Sequence, residues 1–153
     1  MPIPQINIMS VIDVTQALSK DSLKGNLVMM DNSRCKETIP TRGTDKLRTV
    51  VEFGEVINWH LQVVDFQTTA RISRIIWGKK GNPCAKLNLY GTPAKDPYWA
   101  GIVAVNRPIP KDGYNPEGIL YTYKFEIEIA GTTLITMETE AELLVRTPSW
   151  DVY

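Results

Sequence analysis

The sequence predicts an all-β fold: a single-domain antiparallel β-sandwich of about eight to ten strands, with at most one short helix. Three observations lead there. Apolar and polar residues alternate in run after run, Gly and Pro clusters separate the runs, and no segment sustains the 3.6-residue period of a long helix. The pattern is clearest in residues 43–64, GTDKLRTVVEFGEVINWHLQVV. Leu47, Thr49, Val51 and Phe53 fall on one face of an extended chain, and beyond Gly54 the apolar face is Ile57, Trp59, Leu61 and Val63. Asn58, His60 and Gln62 point the other way. Gly54 stands where a bend wants a residue without a Cβ. Half-buried strands cannot cover themselves, so the remaining chain must supply a second layer.

The other elements follow in order. Ile6, Ile8, Ser10 and Ile12 alternate with Asn7, Met9, Val11 and Asp13, giving a strand apolar on both faces and expected to be central in its sheet. Residues 15–24 read as a short helical turn or a loop, residues 26–30 as a strand, and the polar stretch 31–42, with Pro40, as a loop. Residues 68–77 are rich in β-branched side chains, with Ala70, Ile72 and Ile76 on one face against Arg71 and Ser73. A brief strand at 86–90 precedes a proline-containing loop at 91–99, and 101–106 reads as another strand. Residues 107–118, RPIPKDGYNPEG, form the longest irregular segment. Tyr121, Tyr123, Phe125, Ile127 and Ile129 then alternate with polar residues up to a hairpin turn at Gly131. Ile135, Met137, Ala141, Leu143 and Val145 continue the alternation beyond it. The opposite face, carrying Glu126, Glu128, Glu138, Glu140 and Glu142, is expected to be acidic and wet.

A chain of 153 residues suits one domain spanning 1–153, and at this size about 70% of the unfolded surface is buried on folding. Lysine plus arginine number 17 and aspartate plus glutamate 17, so the basic excess of a nucleic-acid binder is absent. Zero formal charge also removes the colloidal repulsion that opposes self-association. Cys35 and Cys84 are too few for a disulfide-stapled scaffold and are expected as free thiols, although a bond between them is open. The N-terminal MPIPQINIMSVIDV lacks the basic start of a signal peptide, and no apolar run approaches the roughly 18 residues of a membrane span. A cytoplasmic protein with no membrane partner is expected.

Catalytic chemistry finds little to work with. His60 is the only histidine, and it lies mid-strand on the polar face with no nucleophile to nominate beside it. The glycine–acid bend followed by an aromatic, VEFGEVINW, resembles that of copper-binding sandwiches, but a blue-copper site needs two histidines with a cysteine. Structural zinc needs four ligands where Cys35, Cys84 and His60 make three. No cofactor is expected, with calcium left open: Asp13, Asp31, Asp45, Asp65, Asp96 and Asp112 are scattered and follow no spaced-acid loop. The better lead for binding is aromatic. Asp96, Tyr98 and Trp99 share one proline-containing stretch, and Trp150 and Tyr153 lie near the C-terminus. Rings beside a carboxylate can stack on a sugar or anchor a protein. The plainer alternative, which carries more weight, has them capping the core or packing in a subunit contact.

INIMSVIDV at the start, GTDKLRTVVEFGEVINWHL after a polar loop, and YKFEIEIAG at the final hairpin together resemble the AidA/PixA inclusion-body protein family of bacteria. Asp13 matches that family's first strand, which ends in aspartate. Gly43, Thr44, Asp45 and Leu47 match its glycine–threonine–acid–leucine strand, and Gly54, Glu55 and Trp59 its glycine–acid bend. Glu55 stands where aspartate is the more usual residue. The resemblance implies a non-enzymatic β-sandwich made in quantity, often under quorum-sensing or stationary-phase control. Some members collect in cytoplasmic inclusions and some are linked to host colonisation; the family brings no catalytic residues. The sequence therefore supports a self-associating protein first. A carbohydrate-binding module using Asp96, Tyr98, Trp99 or Trp150 is the alternative.

Overall fold

A computed structural model of the chain describes residues 5–33, 35–64, 67–92, 95–104 and 118–146, without the side chains of residues 92, 95 and 96. Alternation becomes strand throughout: β1 (Gln5–Ile12), β2 (Leu27–Asp31), β3 (Arg48–Glu52), β4 (Val56–Val63), β5 (Ala70–Trp77), β6 (Cys84–Thr92), β7 (Lys95–Val103), β8 (Ile119–Ile129), β9 (Thr133–Thr136) and β10 (Ala141–Arg146). One short helix, α1 (Val14–Lys20), and a 3₁₀ turn at Lys36–Thr41 complete the described elements. The strands form two sheets, ordered β2-β1-β4-β7-β6 and β3-β10-β8-β5, with β9 pairing β8. This is the expected all-β sandwich.

The core lies between the layers. Ile8, Ile12, Ile57 and Trp59 from the first sheet meet Val51, Tyr123, Phe125 and Leu143 from the second. Trp59 packs edge-on against Trp77 (centroids 6.1 Å) and Tyr123 (5.9 Å), and such pairs add about 0.5–1.5 kcal/mol each beyond area burial. Gly54, at φ 91°, carries the chain out of β3 in one sheet and into β4 in the other. The Glu55 carboxylate closes that bend by accepting from the Glu52 N–H. The motif that organises the sequence is therefore a corner between layers. Asp13 serves α1 as its N-cap, accepting from Gln16 N at 3.2 Å.

Not every pairing is antiparallel. β1 runs parallel to β4 and β3 parallel to β10, each pair separated by a long excursion through the other layer. In β5 the expected phase breaks at a bulge between Ile72 and Arg74. Ile75 and Trp77 pack on the core instead, and Ile76 shares a cross-strand position with Lys124. The stretch from Ile135 to Val145 is two strands, not one. Glu126 pairs with Thr136 but Tyr123 with Ala141, so five residues oppose three. Two extra residues leave the parity intact, and the inward set Ile135, Met137, Ala141, Leu143 and Val145 survives the break.

The loop expected at 91–99 is the main correction. β6 and β7 run through it as an antiparallel pair with Tyr90 opposite Tyr98 and Leu89 opposite Trp99. Pro97 is tolerated because it lies beside a register shift between Tyr90 and Thr92, where a missing N–H breaks no regular ladder.

The acidic face is corrected in part: Glu138 and Glu140 are exposed, as expected, but the glutamates on the strands are matched by arginines. Glu128 pairs with Arg71 at 3.1 Å, Glu126 with Arg74 at 3.2 Å and Glu142 with Arg48 at 3.0 Å. Glutamates on the inner strands β8 and β10 are thus matched by arginines on the outer strands β3 and β5.

Candidate functional site

The two outer faces of the sandwich differ sharply in chemistry. The second sheet presents the arginine–glutamate ladder. On the first, outward positions of β2, β1, β4 and β7 are Val28 and Met30; Gln5, Asn7, Met9 and Val11; Val56, Asn58, His60 and Gln62; and Tyr98, Ala100 and Ile102. None of these described side chains is an acid, a lysine or an arginine; on the fifth strand, β6, Lys86 is exposed at the register shift between Ala85 and Asn88.

Register aligns four of them with Tyr90 on β6. Met30 pairs with Met9 and Met9 with His60, while Tyr98 pairs with Tyr90. The His60 ring stacks on Tyr98 (centroids 5.0 Å, 25° between planes), and Tyr98 stacks on Tyr90 (5.7 Å, 23°). A single row, Met30–Met9–His60–Tyr98–Tyr90, therefore crosses all five strands. Met30 is 55% exposed and Tyr90 43%, with Val28 at 42% beside them. Asn7, Asn58 and Asn88 flank the row, and the Asn58 amide donates to Asn7 and Gln5 at 3.1 Å each. Met30, Val28 and Tyr90 are thus exposed on this face, while Met9, His60 and Tyr98 are half-buried between them.

The sequence-predicted site residues divide. Tyr98 faces outward into the row. Trp99 faces the opposite way and donates from its indole N–H to the Ile72 carbonyl at 2.8 Å, tying β7 to the other layer. Adjacent strand residues point to opposite faces, so the two rings cannot form one platform. Asp96 belongs to β7, with its side chain outside the described residues, as are Asp65, Asp112, Trp150 and Tyr153. His60 keeps the polar-face position expected of it. Met9, Met30 and Tyr90 were missed. The signal was the second apolar face of β1: Met9 and Val11 do lie on a central strand, yet no layer of the described chain covers them.

A polar cleft of about 570 Å³ opens where Gln5 and Asn32 meet Glu52, Glu55, Cys35 and Arg146. Burial pushes the Glu55 carboxyl up from its ordinary value, opposed by the hydrogen bond from Glu52 and aided by the Glu52 charge. The Arg146 guanidinium is engaged, pairing with Glu37 and lying 3.7 Å from the Cys35 sulfur. That salt bridge holds the Glu37 carboxyl below its usual range. Both cysteines are free thiols; Cys84 is buried, and burial pushes its thiol up to about 12. His60 does not line this cleft, so no thiol–imidazole pair forms there. Among the described residues no three of His, Cys, Asp and Glu come together to hold a metal ion, and no helix is long and apolar enough to cross a membrane.

Residues 4–134 match the family described as Domain of unknown function (DUF8788). No curated protein matches the sequence. The fold is similar to the crystal structure of an inclusion body protein (PixA) from Burkholderia cenocepacia J2315, with a TM-score of 0.61 and 9% sequence identity, covering 97% of this chain and 98% of that one. At that identity the likeness is one of fold, and it is the fold that the sequence resemblance implies.

Proposed function

The chain belongs to the DUF8788 family, and on that premise we propose a non-catalytic, self-associating protein of the inclusion-body type, made to accumulate in the cytoplasm and needing no cofactor. The carrying observation is the uncharged row Met30–Met9–His60–Tyr98–Tyr90, facing away from a sandwich whose other face is laced with ion pairs. A second copy of this chain is the occupant that suits it. Apolar strips and side-chain amides are self-complementary, whereas a single-sign charged patch is not. Five strands about 4.8 Å apart, with β4 running about 26 Å, give a footprint on the order of 500 Å² per copy and about 1,000 Å² for a pair, near the lower bound for a specific contact. Pairing through sheet edges is discouraged: the Gly43–Thr44 segment hydrogen-bonds to Met29 on the β2 edge, and bulges interrupt β5 and β6. The fold likeness to PixA agrees with this reading.

Sedimentation velocity over a concentration series tests it. Wild type should gain mass with concentration, Met30→Lys/Tyr90→Lys should stay monomeric, and Arg74→Ala on the opposite face should assemble as wild type. A wild-type monomer at every concentration would sink the proposal, as would a double-lysine variant that assembles unchanged. One observation favours a second reading, glycan binding: the Tyr90 and Tyr98 rings stack on one another at one end of the row, with Tyr90 exposed, and such rings can stack on neutral sugars. A glycan array with a Tyr90→Ala control separates the two.

A further inference from the structure

The methionines among the described residues fall into two environments. Met29 and Met137 are buried in the core, and the Met137 sulfur accepts from the Phe125 N–H at 3.2 Å. Met30 is 55% exposed, and half-buried Met9 is its direct cross-strand partner. Two thioethers thus lie side by side on the outer face, next to His60 and close to Val11 and Val28. We propose that Met30, with Met9 behind it, is an oxidation site through which peroxides switch this face from self-associating to monomeric; the proposal rests on the self-association reading above.

The chemistry is a two-electron oxygen transfer. A sulfur lone pair attacks a peroxide oxygen, the S–O bond forms as the O–O bond breaks, and hydrogen peroxide leaves as water. The thioether is oxidised to a sulfoxide and the peroxide is reduced. A dithiol reductase reverses the step, removing the oxygen as water while two thiols become a disulfide. On a monomer the sulfoxide oxygen is hydrated. Pressed against a second copy, it must shed that water beside Val11 and Val28, which offer no side-chain donor in exchange, and a desolvated acceptor opposes association. Assembly in turn hides the sulfur, so the reagent captures the dissociated form and shifts the equilibrium toward it.

Hydrogen peroxide on the full chain, read by peptide mass spectrometry and sedimentation, tests this. Met30 sulfoxide should form first and Met9 sulfoxide next, with Met29 and Met137 untouched while the protein is folded. Formation at Met30 should slow as protein concentration rises. The dissociation constant of the oxidised protein should increase about tenfold or more, and methionine sulfoxide reductase with a dithiol should restore it. Met9→Leu/Met30→Leu should assemble as wild type and ignore peroxide. Unmodified protein that assembles while its Met30 sulfoxide form assembles equally well would overturn the proposal alone, as would a double-leucine variant that still dissociates in peroxide. Unmodified protein that never assembles would overturn both the proposal and the reading beneath it.

Discussion

The Asp31 carboxylate on β2 accepts a 2.7 Å hydrogen bond from the Thr49 hydroxyl on β3, joining strands of opposite sheets through the interior. The same carboxylate accepts from the Ser33 N–H and the Thr38 hydroxyl and pairs with Arg42 at 3.1 Å. A fully buried carboxylate is tolerated here because each of its oxygens accepts from at least one donor. Thr49→Val should cost about 1–2 kcal/mol, as one charge-assisted bond is lost with the packing kept. Asp31→Ala should cost about 3–5 kcal/mol by removing the acceptor shared by Ser33, Thr38, Thr49 and Arg42 and leaving the buried Thr49 hydroxyl without it. Urea midpoints measure both, and equal effects would contradict the hub role of Asp31.

Tyr123 is fully buried, and its hydroxyl lies near the Trp59 indole N–H without a well-aligned hydrogen bond between them. Tyr123→Phe should therefore raise stability by about 1 kcal/mol. A loss of similar size would show that the hydroxyl has a partner, such as an internal water. Burial also pushes the phenol above its ordinary value, so the folded state holds this proton where the unfolded chain releases it. Wild-type stability should consequently fall as pH rises above about 10, with a shallower fall in the Phe variant.

Thiol titration should find one reactive cysteine per native chain and two after unfolding. Cys35 is half-buried at the rim of the polar cleft, while Cys84 is buried with its thiol pushed up to about 12. The unfolded thiol ionises from about pH 8.5, so Cys84 too withdraws stability between that point and about pH 12. Two rapidly reacting thiols in the native protein would contradict this placement.

Arg71→Gln should cost no more than about 0.5 kcal/mol, because both partners of its ion pair with Glu128 still reach solvent. The difference should shrink in high salt. A larger, salt-independent loss in thermal or urea unfolding would mean that the ladder stabilises the fold through packing rather than charge.

The period-two pattern was enough to place the layers, and two residues added at the β9–β10 break did not disturb it. It failed at Ile76 because a bulge adds one residue to one strand, and that reverses every later side chain. It fails at Tyr98 and Trp99 because proline ordinarily marks a loop, whereas Pro97 sits at a register shift that needs no donor. The candidate face was half legible. Met9 and Val11 announced a second apolar surface, but a one-dimensional pattern cannot say whether such a surface is covered from within the chain or left outward. The row itself joins residues from Met9 to Tyr98 through four separate pairings, and local sequence carries no record of those. The ladder was invisible for the same reason: Arg48 and Glu142 are 94 residues apart.

That distance governs how the molecule can come into being. β3 finds its place alongside β10, so an emerging chain must hold Thr49, Val50 and Val51 in waiting until almost all of the described sequence has been made. Closing so wide a loop comes late and slowly. A nascent chain halted near Ala130 would carry a half-built second layer and a bare greasy interior, so quality control in the cell should treat truncated copies as clients for chaperones or proteases.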